Sequence, residues 1–146
     1  MTQRITLAEY RAAPARRKPR VEREHYEQVA LFTWAKLQEK AIPELALLFA
    51  IPNGGKRDKR TAARLKAEGV KAGVSDTFLA VARARYHGLF IELKAEGGRP
   101  TQSQIDWARA VTAQGYCACF CHGAEQAKKA ILTYLRYGPP LGEGVE

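Results

Sequence analysis

Asp76-Thr77-Phe78-Leu79-Ala80-Val81-Ala82 and Gly88-Leu89-Phe90-Ile91-Glu92-Leu93-Lys94 are the stretches whose reading decides the fold. Both are rich in β-branched, aromatic and other apolar residues, and the polar loop Arg83 to His87 separates them, so they read as two strands of an antiparallel hairpin. With the loop centred near Arg85, partner numbers sum to roughly 168 to 170, which sets Asp76 opposite residues 92 to 94. The strand period of two puts Phe90, Glu92 and Lys94 on one face and Leu89, Ile91 and Leu93 on the other. Two carboxylates and an ammonium therefore meet at one end of the hairpin.

Working outward, period-3.6 patterning runs from Glu22 to about Lys40, with Glu24, Gln28, Leu31, Phe32 and Ala35 on one face. Leu45 to Ile51 is a continuous apolar run ending at Pro52-Asn53-Gly54-Gly55, which fits a buried strand feeding a turn. Lys56 to Glu68 is a charged helical stretch closed by Gly69 as a C-cap. After the hairpin, Thr101-Gln102-Ser103-Gln104 has the capping-box pattern, and Gln104, Trp107, Ala108 and Val111 form the stripe of the helix it opens, which ends at Gly115. Tyr116 to Cys121 is a last strand and Ala124 to Arg136 a last helix. This order predicts the α/β class, a central mixed sheet with helices on both faces.

The chain of 146 residues is long enough to bury about two-thirds of its surface, so one domain needs no disulfide or structural metal. The expected organisation is a flexible basic arm over 1–21, a folded domain over 22–137 and a flexible tail over 138–146. No apolar run is long enough for a membrane span, and no secretory signal opens the sequence. Cys117, Cys119 and Cys121 are too close together to cross-link distant segments, and their odd count suits a reducing, cytoplasmic setting. Their spacing along a strand puts the three sulfurs in a line rather than around a tetrahedron, so they read as buried apolar residues. His25 and His87 read as surface residues, and Trp34 and Trp107 as core or contact residues of their helices. A net charge of +9 makes this a basic domain that favours a polyanionic partner.

Carboxylates that converge repel one another unless a hard divalent cation sits between them, and Mg²⁺ is held by one or two carboxylates plus waters and phosphate oxygens. An Asp/Glu/Lys cross-strand ion pair on a solvated face is the competing reading. Gln104 is either a capping partner or a group facing the carboxylates, and Asn53-Gly54-Gly55 is either a tight turn or a phosphate approach. Lys56, Arg57, Lys59, Arg60, Arg64, Lys66 and Lys71 form a basic run that is either a solvated helix face or a surface for nucleic acid. Base-specific contacts are not readable from it, and no aromatic stacking platform is evident.

The ordered set Glu24-x3-Gln28, Pro52-Asn53-Gly54-Gly55, Gly69-Val-Lys-Ala-Gly73-Val-Ser-Asp76, Gly88-Leu-Phe-Ile-Glu92-Leu-Lys94, Gly98-Arg99 and Gln104 resembles the virus-type replication-repair nuclease (VRR-NUC) domain of the PD-(D/E)xK nuclease superfamily. The resemblance spans about Glu22 to Leu135. It implies a restriction-endonuclease-like core, Asp76 and Glu92 as ligands of Mg²⁺ or Mn²⁺ together with the Leu93 backbone carbonyl, and Lys94 as the catalytic lysine. It further implies Glu24 as an additional acidic ligand, a place that the nearby Glu27 also fits, and Gln28 and Gln104 as supporting glutamines. Ser75 stands where the superfamily usually has Pro. Asn53, Gly54, Lys56, Arg57, Arg60, Lys71 and Arg99 are then the expected DNA contacts. Stand-alone members are similar to homodimeric Holliday-junction resolvases of phages and prophages, which makes branched DNA the expected partner. A non-catalytic DNA-binding module and a nuclease without junction preference are the alternatives.

Overall fold

The computed structural model describes residues 19–52 and 58–138. Most of the basic arm, Asn53, Gly54, Gly55, Lys56 and Arg57, and all but the first residue of the C-terminal tail lie outside them. The elements run α1 (Arg20–Gln38), a 3₁₀ turn (Pro43–Leu47), β1 (Leu48–Ala50), α2 (Lys59–Ala67), β2 (Thr77–Leu79), β3 (Leu89–Lys94), α3 (Gln102–Ala113), β4 (Cys117–His122) and α4 (Ala124–Tyr137). The four strands lie in the order β1-β2-β3-β4, with the first two pairings antiparallel and β3–β4 parallel. A parallel neighbour demands a crossover, and α3 supplies it.

The hairpin places Thr77 opposite Ile91 and Leu79 opposite Leu89, the lower edge of the expected register. Leu79, Leu89, Ile91, Leu93, Cys117 and Cys121 are buried with Leu31 and Ala35 of α1 and Ala127, Ile131 and Tyr134 of α4 in the main core. Tyr134 is fully buried, and its hydroxyl donates to the Val81 carbonyl at 2.7 Å, which removes the cost of an unpaired polar group there. Ala108, Val111 and Trp107 of α3 cover Phe90, Ala118 and Phe120 on the opposite face. One face thus carries two helices, whereas the face of Phe90, Glu92 and Lys94 carries α3. Cys119 and Cys121 have their sulfurs 3.8 Å apart in the main core, and burial pushes the Cys117 thiol up to about 11.

The run Leu45 to Ile51 does not form one buried strand. Pro43 starts a 3₁₀ turn that sends Leu45 into the core, and β1 is three residues long with Leu48 buried and Phe49 and Ala50 exposed. A short apolar run carries no period that separates a helical turn from a strand, and the edge position of β1 leaves one side open. Helix α2 begins at Lys59 rather than Lys56, because the Asp58 carboxylate accepts from Thr61 N at 2.7 Å and caps it there. No helix among the described residues is long and apolar enough to cross a membrane.

Candidate active site

The hairpin register continues one step beyond Thr77–Ile91, and it brings Asp76 and Glu92 side by side. Each carboxylate is held by a backbone N–H of the opposite strand: Asp76 N donates to Glu92 Oε2 at 3.1 Å, and Leu93 N donates to Asp76 Oδ2 at 2.9 Å. Lys94 Nζ lies 3.2 Å from Glu92 Oε1, and both residues are 4% exposed. This is not the solvated cross-strand pair of the competing reading. Two charges have been taken out of water, an arrangement that a hydrophobic pair would match or better for stability alone.

Gln104 satisfies both of its readings at once. Its Oε1 accepts from Thr101 N at 2.9 Å while its own N–H donates to Thr101 Oγ1, closing the capping box. Its Nε2 donates to Glu92 Oε1 at 2.5 Å. Gly73 sets how closely the segment before Asp76 approaches this helix. It has φ +87°, and a Cβ there would overlap the Ser103 carbonyl, so only glycine lets the two segments touch.

Glu24 accepts from Ala95 N at 3.4 Å and from Arg20 Nε at 3.3 Å, next to Lys94 in the chain. Glu27 is engaged elsewhere, taking Ala124 N at 2.5 Å and so capping α4. Gln28 is half-buried one turn from Glu24, and among the described residues it has no hydrogen bond to the site carboxylates. Leu93 contributes its N–H to Asp76 within the buried strand. Arg60, Lys71 and Arg99 are exposed; Arg60 lies on α2, Lys71 follows it, and the Arg99 carbonyl accepts from Arg20 Nη2 at 3.3 Å. Asn53, Gly54, Lys56 and Arg57 lie outside the described residues.

Burial is the main cause of the electrostatic state. It pushes Glu92 up to about 7, with the neighbouring Asp76 charge adding to the effect and Lys94 offsetting part of it. Asp76 is pushed up by burial first, against the Leu93 N–H and Lys94, with the Glu24 charge adding a little. Among the described residues no three His, Cys, Asp or Glu side chains form a metal cluster, so the site is a carboxylate pair with Glu24 standing apart. A pair of hard oxygen donors that repel each other in a buried setting suits a divalent cation that keeps several waters, as Mg²⁺ does and Mn²⁺ can. One oxygen of Asp76 takes no hydrogen bond among the described residues, which leaves it available to such an ion.

Beside Lys94 an open cleft of about 560 Å³ is lined by Arg23, Tyr26, His122 and Gln126, among others. The Arg23 Nε is buried without a hydrogen-bond partner among the described residues. His122 Nε2 lies 2.8 Å from the Gly98 carbonyl. Arg23, Tyr26 and His122 are not among the residues that sequence motifs single out. The available signal was helical spacing, because Arg23 and Glu27 lie one turn apart beside Glu24.

Comparison with known proteins adds the family. The VRR-NUC domain profile matches residues 12–125, most of the chain. The chain belongs to the VRR-NUC family. A solved structure described as a VRR_NUC domain protein is 30% identical to it, with a TM-score of 0.66 over 77% of this chain and 88% of that one. No curated protein matches the sequence. Membership makes the chain a nuclease domain by family, and the α/β fold with a mixed central sheet is the one expected from sequence.

Proposed function

We propose that this VRR-NUC domain is a metal-dependent DNA endonuclease of the PD-(D/E)xK type, acting as a homodimer on branched DNA such as a four-way junction. The observation that carries this reading is the buried Asp76–Glu92 pair with Lys94 Nζ 3.2 Å from Glu92 Oε1. A solvated ion pair needs no burial, and a buried structural pair needs no second carboxylate beside it.

Asp76 and Glu92, with the Leu93 carbonyl, would hold Mg²⁺ or Mn²⁺. When bound, such an ion neutralises phosphate charge and lowers the pKa of water. Hydrolysis there would add water to phosphorus in line with the leaving 3′ oxygen, with the P–O3′ bond broken, a water proton lost to solvent and one taken up by the 3′ oxygen, to leave 5′-phosphate and 3′-hydroxyl ends. Lys94 would place its side-chain nitrogen beside the reacting phosphate, where charge develops, and donate to the nucleophile or a phosphoryl oxygen. Gln104 holds Glu92 in place and needs no charge to do so. Glu24, with Gln28 one turn away, adds an acid at the α1 side.

Arg60, Lys71 and Arg99 would bring the polyanion to carboxylates that repel it, with Asn53, Gly54, Lys56, Arg57 and the basic residues of 1–21 as further DNA contacts by sequence. Two active sites about a two-fold axis would match the symmetry of a junction, which needs paired incisions. The test is cleavage of end-labelled four-way junctions, flaps and linear duplex by the wild type and by Asp76→Ala, with Mg²⁺, Mn²⁺ or EDTA. Paired symmetric cuts that require both metal and Asp76 support the whole reading. Equal cutting of every substrate removes the junction preference, and tight binding without cutting removes the enzyme.

A further inference from the structure

Register places three phenylalanines side by side across the sheet: Phe49 of β1 opposite Phe78 of β2, and Phe78 opposite Phe90 of β3. Their rings touch in sequence. Phe49 and Phe78 have centroids 5.7 Å apart in an edge contact, and Phe78 and Phe90 lie 4.3 Å apart with planes tilted by 31°. Gly88 gives the middle ring its seat, since a Cβ there would lie 2.6 Å from Phe78 Cζ. Trp107 and Tyr116 close the inner end, at 5.8 Å and 5.5 Å from Phe90. The outer end is open: Phe49 is 48% exposed on the edge strand.

The period of two puts this row on the same face as Asp76 and Glu92. Asp76 stands two residues before Phe78, just ahead of β2, and Glu92 two residues after Phe90 on β3, each about 7 Å along its strand from the row. The half-exposed Phe49 ring on the edge strand is open to a planar partner. Lys59, Arg60, Lys66 and Lys71 are all exposed on the segment that leads from β1 to β2, which suits a polyanionic ligand for the domain. A flat apolar π-face one step along the sheet from a phosphate-cleaving centre matches a nucleobase that is not paired in a duplex.

We infer that the Phe49–Phe78–Phe90 row is a stacking platform for an unpaired base next to the cut phosphate, with Phe49 as its exposed contact. The platform rests on the reading of Asp76 and Glu92 as a DNA-cleaving centre, and it gives that centre a physical means of preferring branched over continuous DNA. Paired bases within a duplex keep their faces against their neighbours, so the ring has a partner only where a strand is opened.

The test uses the full chain in EDTA, where DNA stays intact. Binding is measured by fluorescence anisotropy for a flap DNA with unpaired thymidines at the branch and for the same flap with abasic residues there. The wild type binds the first at least about fivefold more tightly, the lower end of one base–aromatic stack. Phe49→Ala and Phe49→Leu lose that ratio while Phe49→Tyr retains it, and all three remain cooperatively folded in thermal melts because the ring is only half-buried, on the edge strand. Equal wild-type affinity for the two flaps overturns the platform and leaves the nuclease reading standing. So does an unchanged ratio in Phe49→Ala, whether or not that variant changes from dimer to monomer in light scattering; a change of state would assign the ring to contact between copies. A wild type that neither binds nor, with Mg²⁺, cuts any of these DNAs overturns both readings.

Discussion

At the scale of single residues, the site is an exchange between burial and charge. Glu92 accepts from Asp76 N, Lys94 and Gln104, yet burial still holds it up to about 7. A raised carboxyl pKa means that the folded chain binds a proton more tightly than the unfolded chain, so folding weakens as pH rises from about 4.5 through 7. The metal-free protein is therefore expected to lose roughly 3 kcal/mol between pH 5 and 8 from this group. Thermal melting in EDTA checks it, with Glu92→Gln flattening the pH dependence and Mg²⁺ restoring the melting temperature at pH 8. Gln104→Ala removes both the capping contact and the Glu92 donor, and its expected cost is about 1–2 kcal/mol in denaturant unfolding. The convergence of Asp76, Glu92 and Lys94 was legible because hairpin register and the period of two are local arithmetic. The simultaneous double use of Gln104 was not, since sequence offers its two roles as alternatives and only the α3–β3 approach lets one amide perform both.

At the scale of elements, what the sequence concealed was every feature that depends on one segment's placement against another. The apolar stretch Leu45 to Ile51 split into a 3₁₀ turn and a three-residue edge strand, because Pro43 favours a helical turn and nothing pairs with the outer side of β1 among the described residues. The phenylalanine row was hidden for the same reason, as its members come from three strands and need the β1–β2 register to meet. The loop before Asp76 is set by Gly73, whose positive φ and contact with Ser103 leave no room for a side chain. Gly73→Ala is expected to cost about 2 kcal/mol or more in urea unfolding and to lower cleavage with it, by moving Asp76 away from α3. Helix α2 carries the exposed Lys59, Arg60 and Lys66, while Arg64 pairs with Glu68 at 3.1 Å. Arg60→Ala combined with Lys71→Ala should weaken DNA binding without sequence preference, and the slope of log affinity against log salt should become shallower by about 2. An unaltered slope would place the DNA elsewhere.

At the scale of the molecule, two helices bury one sheet face, while α3 covers part of the other, over the buried acid pair, and leaves the aromatic edge at Phe49 open. That asymmetry is what a nuclease of the VRR-NUC family needs if a large polyanion is to reach buried carboxylates from one side. If two such faces work on one junction, sedimentation should give about twice the 16.2 kDa of the chain, and the DNA complex one junction per two chains. The most direct test of the central claim is a paired measurement on wild type and Lys94→Ala with Mg²⁺: cleavage of a labelled four-way junction, and affinity for the same junction in EDTA. The account predicts a loss of cleavage by about 10²–10³ with affinity essentially unchanged. Undiminished cleavage by Lys94→Ala would contradict it.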